Sequence, residues 1–262
     1  MKLWQTRRHW EKLARTDPLW AVLSDPAKEG NRWETAEFFA VGRREIDTLM
    51  ASVRTRCPDL RRGRALDFGS GVGRLSQALA LHFDRVTGVD IAREMVALAD
   101  RHNQHGGRVN YVHNTRADLA VFADGSFDFV CSWITLQHIA PEYSRRYLAE
   151  FLRVLAPGGV ALFQVPAVAR PPERWRHSFW PPTLVKRLRR FGFRLLNRTA
   201  AIEPVMGMNA VPGDQVRAIV AAGGGDLLDS YRDDAAGADA QSYVYLVRKR
   251  PDAGGGESRV KG

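Results

Sequence analysis

At 262 residues and 45% hydrophobic, the chain is long enough for one substantial core with attachments, and no run approaches the roughly 18 uninterrupted apolar residues of a spanning helix. Its two cysteines, Cys57 and Cys131, lie far apart, which argues against a disulfide framework and for reduced thiols. The net charge of +10 suggests nucleic acid at first sight, but the segment Arg170–Arg198 alone carries nine Lys or Arg against one acid, Glu173, and charge this local describes a patch or a flap.

The first 60 residues carry helical patterns anchored by Trp4, Trp10, Trp20, Trp33, Phe38 and Phe39, and are expected to form a helical cap, residues 1–60. Met1–Trp10 is polar and lacks the apolar region of a secretory signal, so a soluble, cytoplasmic protein is expected. Residues 61–250 alternate short apolar runs with helical patterns, the mark of a parallel sheet covered by helices. Ala65–Phe68 reads as a first strand, followed by a glycine turn and a helix from about Val72 to His82. Val86–Val89 is a second strand ending at Asp90, before a helix through Met95, Leu98 and Ala99. Val109–Val112 gives a third strand and Phe127–Cys131 a fourth, introduced by the turn Ala123-Asp124-Gly125-Ser126. A helix from about Pro141 to Leu155 keeps Tyr147, Leu148, Phe151 and Leu155 at helical spacing until Pro157-Gly158-Gly159 stops it. Val160–Val165 is the fifth strand, and a Pro- and Arg-rich insertion, 166–200, follows it. Val211–Ala222 reads as a helix, Leu227–Tyr231 and Ser242–Val247 as two closing strands, and 251–262 as a disordered Gly-rich tail.

A strand that runs straight into closely spaced glycines and then a helix makes a site for a polar ligand, because the backbone can approach it closely. Dinucleotide enzymes use the same device, so spacing has to discriminate. Their Gly-x-Gly-x-x-Gly frame, counted from Gly69, would need glycine at position 74, which is Arg74. The chain instead has Gly69-Ser70-Gly71-Val72-Gly73, with Asp67 two residues before the first glycine.

The run Ala65-Leu66-Asp67-Phe68-Gly69-Ser70-Gly71-Val72-Gly73-Arg74 resembles the first motif of class I S-adenosylmethionine (SAM)-dependent methyltransferases. Ser126-Phe127-Asp128-Phe129-Val130, Leu136-Gln137-His138-Ile139 and Arg153-Val154-Leu155-Ala156-Pro157-Gly158-Gly159 resemble that family's later segments, in the right order. The resemblance covers about residues 63–166 and the last two strands. It implies an α/β, Rossmann-like, doubly wound seven-stranded sheet that binds SAM and releases S-adenosylhomocysteine (SAH).

It also implies site residues. Gly69, Ser70 and Gly71 would meet the amino-acid end of SAM through backbone groups, with Gly73 completing the loop and Asp67 holding the ammonium. Asp90 would accept from the ribose hydroxyls and Ile91 would pack on adenine. Where the family often has an acid after the third strand, this chain has Asn114-Thr115-Arg116-Ala117-Asp118, so Asn114 or Asp118 would read the adenine amino group, and Asn114 is nearer the strand end. Ser132 and Trp133 would face the sulfonium or the acceptor, and Gln137 would orient either. Asp128 reads as a structural loop cap, and Arg74 as either a ligand or a helix ion pair. The segment Trp33–Arg44 is expected to cap the cofactor edge.

A hydroxyl acceptor benefits from a general base, and His138 follows the fourth strand on the cofactor edge. His138 is the first candidate for that base, against a loop-fixing role, and His177 in the insertion is a second. No His/Cys/carboxylate cluster has metal spacing, so no metal is expected. In the insertion, Leu184, Leu188, Phe191 and Leu195 share a helical stripe, with the basic residues largely elsewhere. Three readings stand: a lid whose arginines suit an anionic acceptor, a peripheral contact of 183–198 with an anionic membrane, and a packed helix with a solvated face. The whole pattern resembles bacterial methyltransferases of glycan or secondary-metabolite pathways, which implies a small-molecule hydroxyl acceptor. A nucleic-acid acceptor is not expected, since Ser132-Trp133-Ile134-Thr135 stands where base-amine enzymes carry an Asn/Asp-Pro-Pro-aromatic signature. A non-enzymatic docking protein on the same scaffold would need a blocked pocket, and the glycines are intact.

Overall fold

The computed structural model describes residues 1–169, 207–237 and 240–251. Seven strands form one sheet in the order β3-β2-β1-β4-β5-β7-β6. They are β1 (Arg64–Phe68), β2 (Arg85–Asp90), β3 (Val109–His113), β4 (Phe127–Ser132), β5 (Leu155–Ala169), β6 (Gly225–Asp233) and β7 (Ala240–Lys249). Neighbours among β1–β5 pair in parallel, and β7 lies antiparallel between β5 and β6. The chain leaves β1 for β2 on one side and later returns to β4 on the other. That reversal opens a crevice at the carboxyl ends of β1 and β4.

The central strands are buried on both faces, so they read as continuous apolar runs. On one face, Leu66, Phe68, Val130 and Phe163 pack under α6 (Pro141–Val154) and α7 (Gly213–Ala222). On the other, Ala65, Phe129, Cys131 and Leu162 meet Ile46, Leu49, Met50 and Val53 of α3 (Thr35–Arg56), with Leu75 and Leu79 of α4 (Arg74–Leu79). A third cluster joins the N-terminal α1 (Leu3–Thr16) and α2 (Pro18–Val22) to the core. It brings Leu13, Ala14, Ala21 and Phe38 against Val72 and against Ala92 and Met95 at the start of α5 (Arg93–His102).

Every strand and helix expected for the core is present, with shifted ends. α4 is shorter than Val72–His82, because Gly73 at φ +84° caps its start in the left-handed region and the chain loosens into turns after Leu79. β5 begins at Leu155 instead of Val160: Leu155 pairs with Phe127 and Val160 with Phe129, so Pro157-Gly158-Gly159 is absorbed as an irregularity within the strand. Pro166–Ala169 extend β5. The rest of the expected insertion, with the 183–198 stripe and His177, and the tail from residue 252 lie outside the described residues. Among the described residues no helix is long and apolar enough to cross a membrane.

Candidate cofactor and acceptor cleft

A cleft of about 910 Å³, partly open to solvent, lies over the carboxyl ends of β1, β2 and β4. Its floor is the glycine loop. Gly69 and Gly71 adopt φ of +80° and +53°, where a side chain would be strained. A Cβ at Gly71 would also approach Val22 of α2 to 2.7 Å, so the cap sits directly on the loop. The N–H groups of Gly69 and Ser70 donate to the Val89 carbonyl (2.8 and 3.2 Å), and that of Gly71 donates to Asp90 Oδ2 (2.9 Å). At those three positions the loop has no spare N–H for a phosphate. A cationic or neutral ligand group suits it better.

The acids point the same way. Asp67 is buried and accepts from the Ser76 hydroxyl (2.6 Å), yet burial outweighs that bond and pushes its pKa up to about 6. Asp90 accepts from the N–H groups of Gly71 and Ala92 (2.9 and 2.8 Å), and burial likewise raises its pKa. Neither carboxylate has an ion-pair partner among the described residues. One buried and one half-buried carboxylate left in this condition fit an ammonium and a ribose diol, the groups expected of SAM. Ser70 Oγ and Arg74 Nε, both on the cleft wall, are buried without a hydrogen-bond partner. That is a further sign of a polar ligand there.

The wall opposite is held from the cap. Glu45 of α3 accepts from the Trp133 indole N–H (2.6 Å) through Oε1 and from Arg74 Nη1 (2.6 Å) through Oε2. Gly42, one helical turn earlier, makes this possible: a Cβ there would reach Arg74 Cγ at 2.5 Å, so only glycine lets α3 and α4 approach so closely. After Trp133, Ile134 adopts φ +52°, a strained conformation for a β-branched residue, and it too lines the cleft.

His138 lies in the short helical turn Leu136–His138 after β4 and lines the cleft. Its Nδ1–H donates to the Gly207 carbonyl (2.9 Å), which leaves the lone pair on Nε2. The Gln137 amide N–H donates to that nitrogen at 3.3 Å, and the Trp10 ring meets the imidazole edge-on at 5.4 Å. Burial lowers the His138 pKa, with the Gly207 bond opposing it, so the ring is neutral near pH 7.

Of the residues singled out from sequence, Asp67, Gly69, Ser70, Gly71, Asp90, Ile91, Asn114, Trp133 and His138 share the cleft wall. Gly73, Ser132 and Gln137 do not. Gly73 faces Tyr111, whose hydroxyl a Cβ would strike, and Ser132 is wholly buried beneath the wall. Gln137 turns into a buried chain through Gln164 and Ser242 behind His138. Asp118 pairs with Arg116 at the surface (2.7 Å), which leaves Asn114 as the group at the cleft. Asp128 caps β1 through the Arg64 N–H (2.9 Å) and pairs with Arg61, a structural role. The expected cap at Trp33–Arg44 is displaced: Leu3, Thr6 and Trp10 of α1 and Val22 of α2 close the cleft instead. Among the described residues no group of three or more His, Cys, Asp or Glu is arranged to hold a metal ion.

Residues 66–163 match the family described as a methyltransferase domain. The ubiquinone biosynthesis O-methyltransferase of Aromatoleum aromaticum is 31% identical over 146 residues, 55% of this chain and 61% of that protein. The chain therefore spans less than two thirds of that curated relative. The crystal structure of magnesium protoporphyrin IX methyltransferase from Synechocystis PCC 6803, solved with bound SAH, superposes with a TM-score of 0.60 at 17% identity, over 93% of this chain and 97% of that one. The cyclase SpnF superposes with a TM-score of 0.52 at 19% identity, over 78% and 81%. At such identities the superpositions show a shared fold, and the cyclase shows that the fold hosts more than one kind of chemistry. Residues 66–163 thus match a methyltransferase-domain family, and the chain shares the fold of a methyltransferase solved with bound SAH.

Proposed function

We propose that this protein transfers a methyl group from SAM to a hydroxyl of a small-molecule acceptor with an apolar body. The observation that carries the reading is one cleft shared by two kinds of group. Asp67 and Asp90 would supply carboxylates for the cofactor, and the neutral His138 carries on Nε2 a lone pair that accepts from Gln137. SAM, when bound, supplies an electrophilic methyl group. The protein's part is to align the acceptor and take its proton, and His138 Nε2 would take it by exchanging its hydrogen bond from the Gln137 amide for one from the acceptor hydroxyl. Asp67 would hold the cofactor's ammonium, Asp90 its ribose hydroxyls, and Ile91 and Asn114 its adenine.

The walls bear on the acceptor. Leu3, Trp10, Val22, Trp133, Ile134 and Ile139 all line the cleft, and such a lining favours a hydrophobic metabolite over a free sugar, whose hydroxyls would lose water without replacement. The name of the Aromatoleum relative, an O-methyltransferase of ubiquinone biosynthesis, supports a hydroxyl acceptor of that character.

Calorimetry with SAH tests the cofactor assignment: micromolar binding is expected, with Asp90→Ala weakening it at least about 100-fold through loss of two charge-assisted hydrogen bonds. No heat of binding to the wild-type protein would sink it. Transfer of radiolabelled methyl from SAM to hydroxylated aromatic acceptors separates methyl transfer from a cyclase-like use of the fold.

A further inference from the structure

One face of α1 brings a buried hydroxyl to the cleft wall. Leu3, Thr6 and Trp10 fall at helical spacing on a single stripe, and all three line the cleft. Thr6 is 3% exposed, and its Oγ1 has no hydrogen-bond partner. Elsewhere in this protein, helical threonines bond the carbonyl one turn back: Thr16 to Lys12 (3.1 Å), Thr48 to Arg44 (2.9 Å) and Thr55 to Ala51 (3.1 Å). Thr6 makes no such bond. A buried hydroxyl left unsatisfied is costly, and one on a cleft wall is satisfied most simply by what enters the cleft.

The placement of α1 says which ligand that is. Glu11 lies at the first turn of α5, accepting from the N–H groups of Arg93 and Glu94 (2.8 and 3.2 Å), just beyond the Asp90 strand end that is assigned to the cofactor's ribose. Trp10 meets the His138 ring. Thr6 is one turn further from α5, about 6 Å along the helix axis from Trp10. It therefore lies on the far side of the Trp10–His138 contact from the ribose acid. Leu3, which shares its face, is apolar.

We propose that Thr6 is an acceptor-specificity residue. Its Oγ1 hydrogen-bonds a polar substituent adjacent to the hydroxyl that faces His138, while Leu3 and Trp10 flank the acceptor's apolar body. The assignment rests on reading the cleft as a hydroxyl-methylating site.

Two probes differing by one adjacent hydroxyl, 4-propylphenol and 4-propylcatechol, test it. Their binding to the SAH-loaded protein is followed by quenching of tryptophan fluorescence, which needs no turnover. Wild type is expected to bind the catechol about 5-fold more tightly than the phenol, the worth of one neutral hydrogen bond. Thr6→Val should bring that ratio to about one, Thr6→Ser should keep it, and SAH affinity should be the same in all three. A ratio that survives in Thr6→Val overturns the assignment. So does SAH affinity that falls with Thr6→Val, which would give Thr6 to the cofactor or to the fold, and so does wild-type protein that binds SAH but neither probe. Failure of wild type to bind SAH at all overturns the cofactor reading beneath it, and the assignment with it.

Discussion

Asp67, buried, and Asp90, half-buried, have hydrogen-bond donors but no ion pair among the described residues, and this sets how the cleft responds to pH. A carboxyl whose folded-state pKa of about 6 lies above its ordinary 3.8 favours the fold while protonated. That contribution is present in full below about 4 and is lost as the pH rises through about 6. A bound ammonium favours the ionised form, so SAH binding near pH 6 should release a proton from Asp67. Titrations at pH 6 in two buffers of different ionisation enthalpy read that proton directly, and Asp67→Asn should abolish it. Release that persists in the variant assigns it to another group. His138 shifts the other way. Burial lowers its pKa, so the neutral ring predominates at pH 7, and kcat/KM should rise with pH through a value below the ordinary 6.5 and then level off. His138→Gln should lower kcat by roughly 100- to 10,000-fold, the range of a lost general base, with SAH affinity unchanged. Full activity in that variant would leave His138 a loop-fixing residue.

Between elements, the site depends on contacts that no local pattern displays. α5 has Ala92 as its N-cap residue and so no side-chain cap of its own, and Glu11 of α1 caps it from another helix, seconded by the Arg15–Glu94 ion pair at 3.0 Å. A carboxylate at a helix N-terminus is favoured by both the free N–H groups and the helix dipole. Glu11→Ala should therefore cost about 1 kcal/mol of stability. It should also speed SAH dissociation in a stopped-flow chase, because α1 and α2 cover the glycine loop. An unchanged dissociation rate would mean that the cap does not gate the cofactor. Strands, helices and the glycine loop were legible in the sequence because each is specified by its own period or turn chemistry. Asp67 and Asp90 were legible because they lie at the carboxyl ends of strands, at positions the family resemblance marks. Glu11, Glu45 and Thr6 were not: each reads as an ordinary residue of a helix in the N-terminal cap. Their meaning comes from partners or walls far along the chain, such as Trp133, 88 residues from Glu45. The Trp33–Arg44 segment misled for the same reason. Its aromatic residues mark a packed face, and the period of a helix does not say which element that face meets.

Across the whole molecule, the order of the sheet explains why one ligand should hold so much together. The position of β7 between β5 and β6 was not readable, since run lengths give strands and not their neighbours. The crevice at β1 and β4 follows from the crossover that parallel strands require. Its walls come from α1 and α2, from the loops after β1 and β2, and from the stretch between β4 and α6. A ligand seated there touches the cap and both halves of the sheet, and unfolding any one of them should release it. SAH at 100 times its dissociation constant should then stabilise the folded state by about 2.7 kcal/mol. For a chain of this size that corresponds to a rise in Tm of roughly 5–10 °C. The transition should move as a single step, and Asp90→Ala at the same SAH concentration should lose most of the shift. If instead the cap melted separately, with only the later transition raised by SAH, the ligand would be held by the sheet edge alone, and the gating expected of α1 would fail with it.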